Sequence, residues 1–399
     1  MYLLDTNILL KYPSVFNDYR NKIVISILVI EELDGLKKSN NFEVAYQARR
    51  ASHLIFQEKD NITFSFEDDH LSSVDNNLLM IAKAHKYTLV TEDLNLIIKA
   101  EMENTPYEIY NKISSDYTGV KYYKIDLDEN NYSVELEKIL EEGISPIPMK
   151  ENEFLIIRDS RENVLCRLIY QNGILKNFKL ETILNDFVSK IVPRNTEQEC
   201  LVHLLKNKDI SIISAIGEYG TGKSYLLINY ALQQLQKGEI NKIIYVPNNA
   251  IVENTRELGI LPGDTIDKEL LYMGPILDLI GEDRARDMIT KNEIEIAPIS
   301  VMRGRSFTNS ILIVNEAQNL TTDHIKLLVA RCGDGTRIFF DGDIKQSDSS
   351  IFRNKNGLKL LPFLADSNEF AKIFGMVKLK TIERSKTAQA SAYLEQLLI

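Results

Sequence analysis

The sequence predicts an α/β protein with two parallel-sheet regions and a small β-rich stretch between them. Three observations carry this. Residues 1 to about 112 alternate short apolar strands with amphipathic helices, the pattern of a parallel α/β sheet. From residue 193 onward the alternation returns with continuous apolar strands, the kind buried on both faces. Residues 113–192 instead carry apolar runs broken by turns.

In the first region, YLL opens a strand and KIVIS (22–26) is a second. VIEELDGLKK and FEVAYQARRASHLIFQ (42–57) have helical spacing, NNLLMIAKAHK is another helix, YTLVT (87–91) a strand and LNLIIKAEM a helix. In the middle, DENNYSVELEKILEEG reads as a loop and short helix. FLIIRD (154–159), VLCRLIY (164–170) and ILKNFKL (174–180) read as a small antiparallel meander, a module or insertion of its own. In the last region ISIISAIG (210–217), KIIYVPN (242–248), SILIVNE (310–316) and TRIFFDGD (336–343) are strands. The expected boundaries are 1–112, 113–192 and 193–399.

The chain has 399 residues, 44% hydrophobic and 26% charged, which excludes wholesale disorder. Lys+Arg 47 against Asp+Glu 57 leaves a net charge of −10. That excludes avid, non-specific coating of nucleic acid. It does not exclude RNA engaged through a narrow channel. Cys166, Cys200 and Cys332 lie far apart, so neither a disulfide scaffold nor structural zinc is expected. The start, MYLLDTNILL, lacks a basic n-region, and no apolar run reaches the roughly 18 residues that span a membrane. The expectation is a soluble, cytoplasmic protein with no membrane partner.

Gly217-Glu218-Tyr219-Gly220-Thr221-Gly222-Lys223-Ser224 follows a buried strand and precedes the helix that begins at Tyr225. This is the G-x-x-x-x-G-K-[ST] phosphate loop in its proper context. Glycines let backbone N–H groups turn toward phosphate oxygens, and the helix N-terminus adds positive potential. Lys223 is expected on the β- and γ-phosphates of ATP and Ser224 on Mg²⁺. SILIVNE ends in Asn315-Glu316. Glu316 can polarise the attacking water, whereas Asn315 brings no charge. TRIFFDGD leads to Asp343 and Gln346, polar groups expected to face the γ-phosphate. Gln198, upstream, carries the paired donor and acceptor that can read an adenine edge.

GEYGTGKS, PRNTEQ, Met302-Arg303-Gly304-Arg305, NEAQN, GDIKQ and Glu383-Arg384-Ser385 together resemble the PhoH family of ATPases over roughly 193–399. The resemblance implies a RecA-like P-loop domain related to superfamily-1 helicases. The family usually reads DEAQN, so Asn315 departs from it. Because a lone RecA-like domain has no second lobe, the resemblance further implies a ring, a hexamer, with an arginine donated across each interface; Arg303, Arg305 and Arg384 are the candidates.

At the other end, Asp5, Glu32, Asp75 and Asp93 stand at strand ends and helix starts, positions that converge at the carboxyl edge of a parallel sheet. Converging carboxylates repel unless divalent cations neutralise them, and a two-metal site suits phosphodiester hydrolysis. Helix capping explains single acids equally well. LLDTNILL, VIEELDGLK, VDNNLLMIA and LVTEDLNLIIKA resemble a PIN domain, a metal-dependent ribonuclease fold. That resemblance makes Asp5, Glu32, Asp75 and Asp93 the metal-binding set, with Thr6, Asn7 and Thr91 as polar support. The whole chain resembles PIN–PhoH fusion proteins, with Asp116-Tyr117-Thr118-Gly119 and Asn152-Glu153-Phe154 also matching in the middle. The implied activity is an ATP-dependent RNA helicase joined to a Mg²⁺- or Mn²⁺-dependent endoribonuclease acting on single-stranded RNA. The rivals are a nucleotide-switch ATPase that binds RNA without cutting it, and a toxin-type endoribonuclease that needs no ATP.

Overall fold

The computed structural model describes residues 1–12, 15–39, 41–67, 73–110, 115–127, 133–247, 265–344, 346 and 356–383. The chain divides into two compact units, Met1–Lys112 and Ile113–Ile399.

The first unit runs β1 (Tyr2–Leu4), α1 (Thr6–Lys11), α2 (Val15–Asp18), β2 (Ile23–Ser26), α3 (Ile27–Leu36), α4 (Phe42–Gln57), β3 (Ile62–Ser65), α5 (Val74–His85), β4 (Thr88–Val90), α6 (Leu94–Met102) and β5 (Tyr107–Glu108). The five strands form one parallel sheet in the order β3-β2-β1-β4-β5. Leu3, Leu4, Val24, Ile25, Leu89 and Val90 fill its core with apolar residues of the helices. The chain leaves β1 toward β2 on one side and returns to β4 on the other, so the carboxyl ends of β1 and β4 flank a topological switch point, where ligands bind in open α/β sheets. β3 and β5, absent from the sequence reading, are short edge strands with weak apolar signal.

The second unit opens with β6 (Val120–Lys124), α7 (Val134–Glu142), β7 (Phe154–Arg158), β8 (Val164–Gln171) and β9 (Ile174–Asn177). These strands form a sheet of their own, ordered β6-β7-β8-β9. β7, β8 and β9 pair as the expected antiparallel meander; β6, which that expectation lacks, adds to it parallel with β7, and α7 lies between them in sequence. A parallel pair cannot be closed by a tight turn, which gives α7 its place. One face, through Leu155, Ile157 and Leu168, packs with α7. The other, through Phe154, Ile156 and Ile169, enters the same core as the residues that follow. The stretch 113–192 therefore shares a core with the C-terminal region. A hairpin of β10 (Ile183–Asn185) and β11 (Ser189–Ile191) leads out of it.

Next come α8 (Thr196–Lys206), β12 (Ile212–Gly217), α9 (Lys223–Gln236), β13 (Lys242–Val246), α10 (Thr265–Leu270), α11 (Gly274–Ile280), α12 (Glu282–Thr290), β14 (Ile294–Ile296), β15 (Ser310–Val314), α13 (Thr322–Val329), β16 (Arg337–Gly342) and β17 (Phe374–Leu379). The six strands form an all-parallel sheet, β14-β13-β15-β16-β12-β17. Period-two alternation serves both faces. Ile213, Ala215, Tyr245, Ile313 and Phe339 meet α8 and α9, while Ile212, Ile244, Leu312, Val314 and Phe340 meet the opposite layer. Such two-sided burial explains the continuous apolar runs.

The matching peptides of the middle stretch act as a joint. The Glu153 carboxylate accepts from the backbone N–H groups of Thr118 and Lys150, at 2.9 Å each, and pairs with Lys121 at 2.7 Å. Asn152, at φ 62°, donates to the carbonyl of Phe374 at the start of β17 at 2.9 Å. Gly119 sits at φ +80°, where a Cβ would fall 2.1 Å from the Met376 carbonyl oxygen; only glycine lets the two backbones approach. No helix among the described residues is long and apolar enough to cross a membrane.

Candidate functional site

Asp5 directly follows β1 and caps the start of α1, yet its side chain makes no cap hydrogen bond. Its carboxylate instead accepts the Thr91 hydroxyl at 2.6 Å, from the end of β4 across the switch point. Asp5 is buried. Burial raises its pKa to about 6, assisted by the negative charges of Asp75 and Glu32 and opposed by the Thr91 and Thr6 hydrogen bonds. Thr6 donates to Glu32 at 2.6 Å. Asn7 reaches Thr91 at 3.5 Å, a marginal bond, and its Oδ1 is buried without a hydrogen-bond partner.

One sequence expectation needs correction here. Glu32 lies midway along α3 rather than at a helix start; it comes to the site because α3 leaves the carboxyl end of β2. Asp93 serves as the N-cap of α6, accepting from the backbone N–H groups of Asn95 and Leu96 at 2.8 and 3.1 Å. Its own N–H donates to Thr91, so the residue is tied to the site whatever its carboxylate does. Asp75 lies in the first turn of α5, as expected.

Among the described residues no group of three His, Cys, Asp or Glu side chains gathers closely enough to form a metal cluster. The donor set still fits a hard divalent cation. It consists of carboxylate oxygens with an orphaned amide oxygen beside them, and its charges already act on Asp5. Neighbouring cations are engaged elsewhere: Lys11 pairs with Glu92 at 2.7 Å and Lys99 donates to Asn76 at 2.9 Å.

The phosphate loop joins β12 to α9. Gly220 and Gly222 have φ of 79° and 91°, so the loop turns as the motif demands. The Lys223 ammonium donates to the carbonyl oxygens of Gly217 and Glu218 at 2.7 and 3.0 Å, and the Thr221 hydroxyl to that of Glu218 at 2.8 Å. A cavity of about 610 Å³ opens over the loop, lined by Gln198, Tyr219, Gly220, Gly222, Lys223, Ser224, Tyr225, Asn315, Glu316, Asp343, Gln346 and Glu383 among others. Its size suits a nucleotide.

Gln198 is committed within the chain. Its Oε1 accepts from Arg194 N–H at 2.9 Å and its Nε2 donates to the Thr221 carbonyl at 3.0 Å. Both groups expected to read adenine are thus engaged within the chain, and the Nε2 braces the phosphate loop. Glu316 has φ 50°, ψ 45°, a left-handed conformation uncommon outside glycine and a mark of functional sites. Its carboxylate accepts from Gln318 at 2.5 Å, and Gln318 accepts from Asp343 N–H at 3.0 Å. Gln318 therefore couples the ends of β15 and β16.

Three further residues contribute to which the sequence assigns no individual role. Glu383 donates its backbone N–H to Gly220 at 2.8 Å and accepts from Asn195 at 2.7 Å, clamping the loop from the chain's far end. Gln318 was passed over inside NEAQN. Asp341, inside β16, accepts the Ser224 hydroxyl and lies 3.8 Å from Lys223. Burial raises its pKa to about 6 against the lowering effect of Lys223. The signal was available: an acid inside a buried apolar strand is rare.

Of the arginines, Arg303 is exposed. Arg305 pairs with Glu295 at 2.5 Å and lies over the Phe307 ring. Arg384 lies outside the described residues.

A parallel sheet with acids at its switch point and a six-stranded sheet carrying a phosphate loop define a PIN domain and a RecA-like P-loop domain on one chain. Comparison with known proteins agrees. The family model described as PhoH-like protein matches residues 190–394, and the PIN domain model matches residues 2–111. The chain belongs to the PhoH-like protein family and carries an N-terminal PIN domain. It is 27% identical to Protein PhoH2 of Bacillus subtilis (strain 168) over 450 aligned positions, covering 99% of each chain. It is 24% identical to Protein PhoH2 of Thermobispora bispora, covering 100% of this chain and 96% of that one. A shorter PhoH-like protein of Bacillus subtilis is 34% identical over 184 residues, 45% of this chain and 54% of that protein. ATPase and nuclease-type roles follow in general terms.

Proposed function

We propose that this chain is an ATP-dependent RNA helicase coupled to a metal-dependent endoribonuclease. Residues 1–112 would cut, 193–399 would hydrolyse ATP, and 113–192 would brace the ATPase sheet. One observation carries the reading: a buried, Thr91-held Asp5 at a sheet switch point occurs with a formed phosphate loop on a chain matched end to end by PhoH2 relatives.

In the nuclease half, Asp5, Glu32 and Asp75 would hold Mg²⁺ or Mn²⁺, with Asp93 completing the set. A bound divalent ion supplies Lewis acidity and counter-charge for phosphodiester hydrolysis. Thr91 and Thr6 fix the Asp5 and Glu32 carboxylates, and Asn7 offers its orphaned oxygen. In the ATPase half, the loop amides and Lys223 would bind the phosphates of ATP, with Ser224 on Mg²⁺. Glu316 would orient the hydrolytic water, Gln318 and Asp343 would sense its position, and Gln346 would face the γ-phosphate. Single-stranded RNA is the proposed substrate. The proposed assembly is a homo-oligomeric ring, hexameric by resemblance, with Arg303 the candidate donor across the interface because Arg305 is already paired. The reading places the protein in the cytoplasm.

The test is labelled single-stranded RNA incubated with ATP and Mg²⁺ or Mn²⁺. Wild type cleaves it and Asp5→Asn does not. Equal cleavage by the two proteins would remove the nuclease assignment. One observation favours a second reading, an RNA-binding nucleotide switch with a weak nuclease: Asn315 gives the β15 end no charge. RNA that leaves ATP turnover unchanged would favour that switch.

A further inference from the structure

Nucleotide-bound magnesium in P-loop proteins is held by the loop Ser/Thr together with an acid from a neighbouring strand. Here the residue after β15 is Asn315, which is uncharged. The adjacent strand supplies a carboxylate at the same level. β15 and β16 pair in parallel with Val314 opposite Phe340, so Asp341 follows Phe340 as Asn315 follows Val314. On its other side Asp341 lies opposite Ala215 of β12, the strand that feeds the phosphate loop. Its carboxylate accepts the hydroxyl of Ser224, the residue assigned to magnesium. Lys223 is 3.8 Å away, close enough to offset part of the burial cost. Asp341 is 2% exposed, inside a strand otherwise buried throughout. Burying an acid there is costly unless it is paired and hydrogen-bonded, and its two partners, Ser224 and Lys223, are both residues of the phosphate loop.

We propose that Asp341 is the magnesium-positioning residue of this nucleotide site. It supplies from β16, through Ser224, the negative charge that Asn315 does not supply from β15. This rests on the nucleotide-site reading above. It predicts that the Asn315 departure leaves the site's total charge intact and moves it by one strand.

The test uses the full-length chain and a fluorescent, non-hydrolysable ATP analogue, titrated with Mg²⁺ and again in EDTA. Wild type should bind more tightly with Mg²⁺ by roughly tenfold or more, about 1.4 kcal/mol per decade. Asp341→Asn should lose most of that gain while its affinity in EDTA stays within about threefold of wild type. Adding Asn315→Asp to Asp341→Asn should restore most of the gain. Manganese bound with the analogue, read by its paramagnetic resonance spectrum, should weaken and recover in parallel. A full magnesium gain in Asp341→Asn would overturn the proposal. So would equal loss of binding with and without Mg²⁺, because Asp341 would then only support the loop, and so would failure of the double variant to recover. Wild type that binds no analogue in either condition would instead remove the nucleotide-site reading itself.

Discussion

The two sites differ in how far the chain assembles them alone. The phosphate loop is formed: its glycines hold left-handed φ values, its lysine and threonine bond to loop carbonyls, and Gln198, Asn195 and Glu383 brace it. The acidic site has its elements in place, yet its carboxylates do not gather into a cluster among the described residues. Thr91 holds Asp5, Thr6 holds Glu32, and Asp93 caps α6. Charge explains the difference. A loop of amides and one lysine can satisfy itself with its own carbonyls, whereas several acids need a cation that the chain does not provide.

Variants can break or sharpen this contrast. The largest expected effect is in the formed site. Glu316→Gln should lower ATP hydrolysis by roughly 10²–10⁴, the range of a general base, with nucleotide affinity kept; equilibrium binding beside steady-state turnover measures both. Asp5→Asn should lower RNA cleavage by roughly 10²–10³, the scale of losing one electrostatic contact to the transition state, while ATP turnover is unchanged. Loss of both activities would mean that Asp5 supports folding.

Metal should stabilise the two regions unequally. At about 100 times its dissociation constant, Mn²⁺ should stabilise residues 1–112 by about 2.7 kcal/mol, read as slower amide exchange at the ends of β1 and β4. Asp5→Asn should remove most of that protection. Equal protection in the variant would show that the ion binds elsewhere. The smallest effect on activity belongs to Thr91→Val, which removes the buried hydroxyl that donates to Asp5 and accepts from the Asp93 N–H. It should cost about 1–3 kcal/mol of stability, seen in thermal unfolding, with a modest loss of cleavage.

The same contrast explains what was legible in the sequence. The phosphate loop is contiguous, so eight consecutive residues carried both its chemistry and its context. The acidic set lies on four separate segments, and period or spacing alone could not tell ligands from helix caps. Asp93 is in fact a cap, and Glu32 sits mid-helix. The four central strands β12, β13, β15 and β16 announced themselves through continuous apolar runs, whereas the edge strands β3, β5, β14 and β17 did not. In the middle stretch the antiparallel strands β7, β8 and β9 are legible, whereas apolar runs split by turns do not reveal that Val120–Lys124 pairs parallel with Phe154–Arg158. Asp341 is harder to read because it lies inside the strand rather than after it, where P-loop ligands usually sit. Inside β16, alternation places it on the side of Ala215 and Phe339, toward α9.

The central claim is that ATP hydrolysis feeds RNA to the nuclease. The most direct measurement uses an RNA duplex with a single-stranded overhang, incubated with Mg²⁺ and either ATP or its non-hydrolysable analogue. Wild type should cut within the duplex only with ATP, Asp5→Asn should open the duplex without cutting, and Lys223→Ala should cut the overhang alone. Duplex cleavage by Lys223→Ala at the wild-type rate, or equal cleavage with ATP and the analogue, would contradict the account.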